Sequence, residues 1–321
     1  MKIGFAYNLK DPALAETDAH AEYETQETID AITNILAGQG EVIHLPCDAS
    51  FIERITRFKP DIVFNIAEGW GGRDRESFAP VVCRMLGIPC TGSDAVTLGI
   101  TMDKALTKHI CRDAGIRTAP FVLYHDLPET PPPFGFPAFV KPNGDGSSRG
   151  IFRDSLVTDS QTLAARVLNI LREYHQPALV EPYLCGRDFC VGIIGNNPPA
   201  LLATCEVILD HEEGISFFSH EYKRHDTDRL DFTPSIDTSV IEEIERGALT
   251  AFEILGCIDY ARCDFRTDRD GLPYLLEVNA LPGLSPVSGI FVRQAAASGI
   301  GFERLILSIL SQTRNRAARC W

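Results

Sequence analysis

No stretch of this sequence reaches the roughly 18 apolar residues that a membrane-spanning helix needs, so a spanning protein is not expected. The opening MKIGFAYNL lacks the long apolar region and small-residue cleavage site of a signal peptide, and a cytoplasmic protein is expected. CxxC pairs and the Cys/His spacing of a zinc site are also absent. The ten cysteines are scattered, and we read them as reduced, mostly buried small apolar residues rather than metal ligands or redox pairs. Positive charge is scarce: 30 Lys and Arg against 44 Asp and Glu give a formal charge of -14. No Lys/Arg run exceeds a pair before the C-terminal RNRAARCW, so nucleic acid and anionic membranes are poor partners. Internal repeats and low-complexity tracts are missing too.

What is present is a globular composition, 45% hydrophobic and 23% charged over 321 residues, enough for two or three domains. Through residues 1–95, β-forming runs alternate with helical stretches: KIGFAY, residues 23–37, EVIHLP, residues 50–58, DIVFNIA, residues 75–86 and IPCTG. That alternation predicts a doubly wound parallel α/β unit. Residues 96–180 read as an α+β lobe. A helix from about Thr101 to Ala114 stops at Gly115, and the strand FPAFVKP, the loop NGDGSSRG, a strand GIFRD and a helix over 159–174 follow. Residues 181–321 form a third unit with strands in ALVEPYL, RDFCVGIIGN and PALLATCEVIL. A polar stretch from Asp210 to Asp231, too long for an ordinary connection, is a candidate lid. The stripe Ile241, Ile244, Ala248, Ala251 and Leu255 then predicts a helix, and CIDYARCDFRTD with LPYLLEVNA a hairpin around 268–271.

The hairpin carries the clearest chemistry. Side chains two apart on a strand share a face, so Arg262 goes with Asp264, and Glu277 with Asn279. Pairing the strands gathers two carboxylates, an amide and a guanidinium, hard oxygen donors of the kind Mg²⁺ prefers beside substrate phosphates. A surface ion pair would explain Arg262 and Asp264, but not Glu277 and Asn279 inside an apolar run. In NGDGSSRG, Gly144, Gly146 and Gly150 with Ser147 and Ser148 allow backbone N–H groups to cradle a polyphosphate. The loop is neither a Walker A nor a GxGxxG motif, and alone it would be a plain hairpin turn. Lys141, at the end of the preceding strand, points to phosphate.

MDKALTK, FVKPNGDGSSRG, LVEPYLCGRDF, ARCDF and LLEVNALPG together resemble, in order and spacing, the D-alanine–D-alanine ligases and the wider ATP-grasp superfamily. The resemblance covers about Val63 to the C-terminus. It implies an ATP-grasp fold, with an N-terminal doubly wound parallel-sheet domain and two α+β lobes clasping ATP. It further implies that Lys104 and Lys141 contact the phosphates under the Ser147–Ser148 loop, that Glu181 and Leu184 sit at the adenine, and that Asp188 lies near the ribose. Asp264, Glu277 and Asn279 would hold two Mg²⁺ ions, with Mn²⁺ as a substitute, and Lys223 would reach the transferred phosphate from the lid.

The implied reaction joins a small carboxylate to an amine through an acyl-phosphate, with Arg262 and the Gly283 N–H holding the oxyanion of the tetrahedral intermediate. A homodimer through the N-terminal unit is common in that family. The sequence departs from it where substrate would lie. AYNLKDPALAE stands in place of a glycine-rich motif bearing serine and glutamate, and AEGWGGRDRES in place of HGxxGEDG. Glu68, Arg73, Arg75 and Glu76 are therefore candidates for shaping the substrate pocket, and Ser288 for a substrate carboxylate, each also readable as a loop or cap residue. An intact ATP half with an altered acceptor half predicts a ligase for substrates other than two D-alanines. The alternatives are a true D-alanine–D-alanine ligase, with Glu16 or Glu22 replacing the missing glutamate, a kinase that stops at phosphate transfer, or a silent ATP-binding protein.

Overall fold

The structure is a computed structural model that describes residues 1–14, 17–209, 217 and 229–317. In the N-terminal unit β1 (Lys2–Tyr7) pairs in parallel with β2 (Glu41–Pro46) and β3 (Ile62–Ile66), in the order β2-β1-β3. Alternation along β1 sends Ile3 and Phe5 to one face and Ala6 to the other. The first face packs on Ile29, Ile32 and Leu36 of α1 (Gln26–Ala37). The second packs on α2 (Phe51–Phe58) and α3 (Phe78–Met85) through Phe51, Ile55, Ala79 and Cys83. Helices cover both faces, as a doubly wound sheet requires. IPCTG does not become a strand; only Cys90 bridges Val63, because Pro89 lacks an N–H and Gly92 turns the chain away at φ +82°.

The single helix expected over 101–114 is two, α4 (Ala95–Met102) and α5 (Lys104–Asp113). Asp103 leaves helical geometry at ψ 99° and caps α5 by accepting from Leu106 N. The central sheet is antiparallel in the order β4-β7-β5-β6, from Val122–Tyr124, Ala178–Pro182, Ala138–Pro142 and Leu156–Val157, with α6 (Ser160–Asn169) against it. GIFRD is not a strand. Side chains take its backbone groups: Asp18 accepts from Gly150 N, Arg166 donates to Gly150 O, and Ser155 accepts from Phe152 N. Pairing in β7 runs through Pro182, so the change of lobe falls in residues 183–187 rather than at 180.

The C-terminal sheet runs β11-β10-β8-β12-β13, with β9 (Ala200–Leu201) on the side of β8. Its strands are β8 (Asp188–Ile194), β10 (Cys205–Ile208), β11 (Arg229–Asp231), β12 (Tyr260–Thr267) and β13 (Pro273–Asn279). Ile244, Ala248 and Ala251 of α7 (Thr238–Ile254) fill its underside, the stripe read from the sequence. Helices α8 (Ile290–Ala297) and α9 (Phe302–Ala317) complete the lobe, whose core is continuous with the α1 face of the N-terminal sheet. Seven of the described cysteines are buried, Cys90 is half-buried and Cys185 is exposed. Of the lid stretch from Asp210 to Asp231, only Phe217 and β11 fall within the described residues.

Candidate active site between the lobes

A cavity of about 450 Å³ opens between the central and C-terminal sheets, with the N-terminal unit closing one end. The β12–β13 hairpin forms its floor. Arg262 stands opposite Asn279 and Asp264 opposite Glu277, and a bulge follows Asp264. Arg262 clasps the Asp264 carboxylate with two hydrogen bonds, Nε to Oδ1 at 2.7 Å and Nη2 to Oδ2 at 2.8 Å, and Asn279 Nδ2 donates to Oδ2 at 2.9 Å. Glu277 pairs with Lys104 Nζ at 3.3 Å. Burial alone would raise its pKa, but Lys104, Lys141 and Arg262 pull it down to about 2, so the carboxylate is ionised.

Behind the hairpin lies a chain of buried charges. Glu181 on β7 forms ion pairs with Lys141 Nζ at 2.7 Å through one oxygen and with Lys108 Nζ at 2.9 Å through the other. Burial opposes its ionisation, yet the two lysines outweigh it and bring its pKa to about 2. Lys108 was not singled out from the sequence. The signal was its spacing from Lys104 in MDKALTK, one helical turn apart on the face that also buries Ala105. Arg266 was missed as well. It continues the period-two row Arg262, Asp264, Arg266, pairs with Asp188 at 2.9 Å and donates to Leu184 O at 2.6 Å, fixing the linker between the lobes. Burial raises Asp188 to about 6 in spite of that partner.

The glycine-serine loop lies over the cavity. Ser147 and Ser148 take φ of +50° and +58°, conformations rare for residues with a Cβ and concentrated at ligand clamps. Lys104 Nζ donates to Asp145 O at the loop's start. The N-terminal unit holds the loop from the other side. Glu22 accepts from Gly146 N at 2.6 Å and from Arg75 Nη2 on both oxygens, at 2.6 and 2.7 Å; Arg75 also donates to Gly144 O and faces Asp145 at 3.2 Å.

The expected residues divide accordingly. Glu68, Glu76, Lys104, Lys141, Ser147, Ser148, Glu181, Leu184, Asp188, Arg262, Asp264, Glu277, Asn279, Gly283 and Ser288 line one cavity. Arg73 and Arg75 are corrections. Arg73, 73% exposed, pairs with Asp103 outside the cavity, and Arg75, 7% exposed, is consumed in clamping the loop. Lys223 and Glu16 lie outside the described residues. At the closed end, burial first and the Glu22 charge second push Glu76 up to about 8 against Arg75 and a hydrogen bond with Glu68, and burial with the Glu76 charge pushes Glu68 well above the carboxylate range, so this neighbouring pair retains a proton near neutrality. Glu24 is raised too, by burial against a hydrogen bond from Leu284 N.

Comparison with known proteins agrees with this geometry. The family model described as D-ala D-ala ligase C-terminus matches residues 111–311. A D-alanine–D-alanine ligase from Saccharophagus degradans is 34% identical over 92% of this chain and 91% of its own. One from Pediococcus pentosaceus is 33% identical over 78% and 68%, and an uncharacterised protein from Sinorhizobium fredii is 32% identical over 84% and 82%. The crystal structure of a Bacillus anthracis D-alanine–D-alanine ligase complexed with ATP superposes with a TM-score of 0.78 over the whole of both chains at 22% identity, a likeness of fold. With the family model spanning more than half of the sequence and relatives above 30% identity along most of it, the chain belongs to the D-alanine–D-alanine ligase family of ADP-forming ATP-grasp enzymes.

Proposed function

We propose that the protein joins a small amino-acid-type carboxylate to an amine through an acyl-phosphate, on a substrate pair other than two D-alanines. One observation carries the reading. The hairpin end of the cavity gathers lysines and ionised carboxylates suited to a nucleotide and metal, while the end near Glu22, Glu24, Glu68 and Glu76 is acidic and suited to ammonium groups. In this reading Lys104 and Lys141 bind the phosphates, the Ser147–Ser148 loop covers them, Glu181 and Leu184 take the adenine, and Asp188 takes the ribose. Lys223 approaches the transferred phosphate from the lid.

The donor set fits a hard divalent cation. Asp264 and Glu277 are carboxylate oxygen donors, and Asn279 spends its amide N–H on Asp264, which leaves its carbonyl oxygen as a ligand. Two Mg²⁺ or Mn²⁺ ions bound there would neutralise phosphate charge during transfer. Arg262, held flat against Asp264, presents its guanidinium to the oxyanion of the tetrahedral intermediate, with the Gly283 N–H as second donor, and Ser288 sits where a substrate carboxylate would lie. The lobes exclude water, which would otherwise hydrolyse the acyl-phosphate. The protein works in the cytoplasm as a homodimer through the N-terminal unit, where α2 and α3 expose Ile52, Phe58, Val81 and Met85.

The Saccharophagus relative supports a second reading, ligation of two D-alanines, with Glu22 in place of the missing glutamate. Mg²⁺-dependent ADP release across D- and L-amino acids, singly and in pairs, with mass spectrometry of products, decides between them. A D-alanyl dipeptide as the main product would overturn the first reading. Coupling of another pair with D-alanine inert would overturn the second.

A further inference from the structure

Lys108 is 1% exposed and absent from the cavity lining, whereas its partner Glu181 and Glu181's other partner, Lys141, both line the cavity. Its ammonium faces Glu181 at 2.9 Å and Leu275 O at 3.3 Å. It therefore lies behind the lining, and of its two partners Glu181 is the one that reaches a bound nucleotide's side of the cavity. In the resting site Glu181 shares two lysines. Once a polyphosphate draws Lys141 away, Glu181, itself 3% exposed, keeps one cation. A buried carboxylate without a partner is strongly disfavoured and would take up a proton or turn away.

From this geometry we infer that Lys108 is a positioning residue that holds Glu181 ionised and in place after Lys141 moves to the phosphates, so that Glu181 accepts a hydrogen bond from the exocyclic amine of the base. The inference rests on the ligase reading and adds a group to it. It explains why an amine is buried on α5 with a single carboxylate for company. Burial pulls the Lys108 amine below its ordinary pKa, and the Glu181 carboxylate opposes that.

The test is titration calorimetry of the full chain with Mg²⁺ and either ATP or inosine triphosphate, whose base carries a carbonyl in place of the amine. Wild type should prefer ATP. Lys108→Met should weaken ATP binding on the order of 10- to 100-fold, as expected for loss of a charge-assisted hydrogen bond, and leave inosine triphosphate nearly unchanged, while Lys108→Arg restores part of the preference. Equal weakening of both nucleotides, or no change, would overturn the inference by reducing Lys108 to a packing residue. If Lys108→Met does not fold, the comparison passes to Glu181→Gln with and without Lys108→Met. Equal binding by those two variants confirms that Lys108 acts through Glu181, and weaker binding by the double variant refutes it. Wild type that binds no nucleotide would overturn the ligase reading itself, whereas wild type that binds both equally removes only the base-reading step and with it this inference.

Discussion

Replacing Arg75 by methionine tests whether this residue shapes the substrate pocket or clamps the phosphate loop. Methionine keeps much of the volume and removes the charge. It leaves two carboxylates short of a partner, Glu22 with a side chain 8% exposed and Asp145 with one 1% exposed. Deleting one member of a buried ion pair typically costs about 3–5 kcal/mol. Here Glu22 keeps Gly146 N, and Asp145 keeps Arg149 and Gln176, so the lower end, about 3 kcal/mol, applies. At roughly 2–4 °C per kcal/mol for large chains, the midpoint of thermal unfolding should fall by about 6–12 °C. The loop would lose its hold from the N-terminal side, so the KM for ATP should rise while the KM of the amine substrate changes little. Differential scanning fluorimetry and ADP-release kinetics read both effects, with Arg73→Ala as a control that should alter neither. An unchanged melting midpoint with a raised amine KM would refute the clamp and return Arg75 to the substrate pocket.

Arg262→Met should lower kcat by roughly 10²–10³-fold, the usual cost of one oxyanion donor, in steady-state ADP release at saturating ATP; a loss below tenfold would remove Arg262 from the proposed chemistry. Glu76 has a folded pKa pushed up to about 8 from an ordinary carboxylate value, so the native state binds more protons than the unfolded one between those limits. Stability should therefore be greatest at the acid end and decline as pH rises toward about 8, and Glu76→Gln should flatten that part of a melting-midpoint-against-pH profile; parallel profiles would contradict the assignment. Gly69→Ala places a Cβ 2.1 Å from Arg75 O at φ +72°, so it should destabilise by at least about 1–3 kcal/mol from backbone strain alone, measurable by urea unfolding.

The features legible in the sequence were those with a local rule. Period two along ARCDF and LLEVN fixed which side chains share a face, and the strands pair with Asp264 opposite Glu277 as that rule requires. Strand–helix alternation likewise anticipated the parallel sheet with helices on both faces. The errors arose where tertiary partners override local pattern. GIFRD has the composition of a strand, but Asp18, Arg166 and Ser155 satisfy backbone groups that a ladder would have used. Arg73 and Arg75 are two residues apart in one polar loop and read alike, yet one is solvated and the other is buried against Glu22, 53 positions earlier. Lys108 was hidden for the same reason. A lysine in an amphipathic helix reads as a solvated charge until the fold sets Glu181 beside it.

The cavity's two ends also explain why its cations are occupied before substrate arrives. Lys104 and Lys141 each rest on a carboxylate, Glu277 and Glu181, which avoids the repulsion of bare ammonium groups in a closed site. A polyanion competes for those lysines, so in the proposed reaction nucleotide binding would free Glu277 from Lys104 at the moment a divalent cation can replace it. The exchange keeps the local charge nearly balanced throughout. It would also couple the two ligands: a nucleotide that draws Lys104 away raises the affinity of Glu277 for metal, and metal on Glu277 releases Lys104 for phosphate. Among the described residues no ion pair is formed by Glu68 or Glu76; burial outweighs the pull of Arg75 and they keep a proton, a state that an arriving ammonium group would displace.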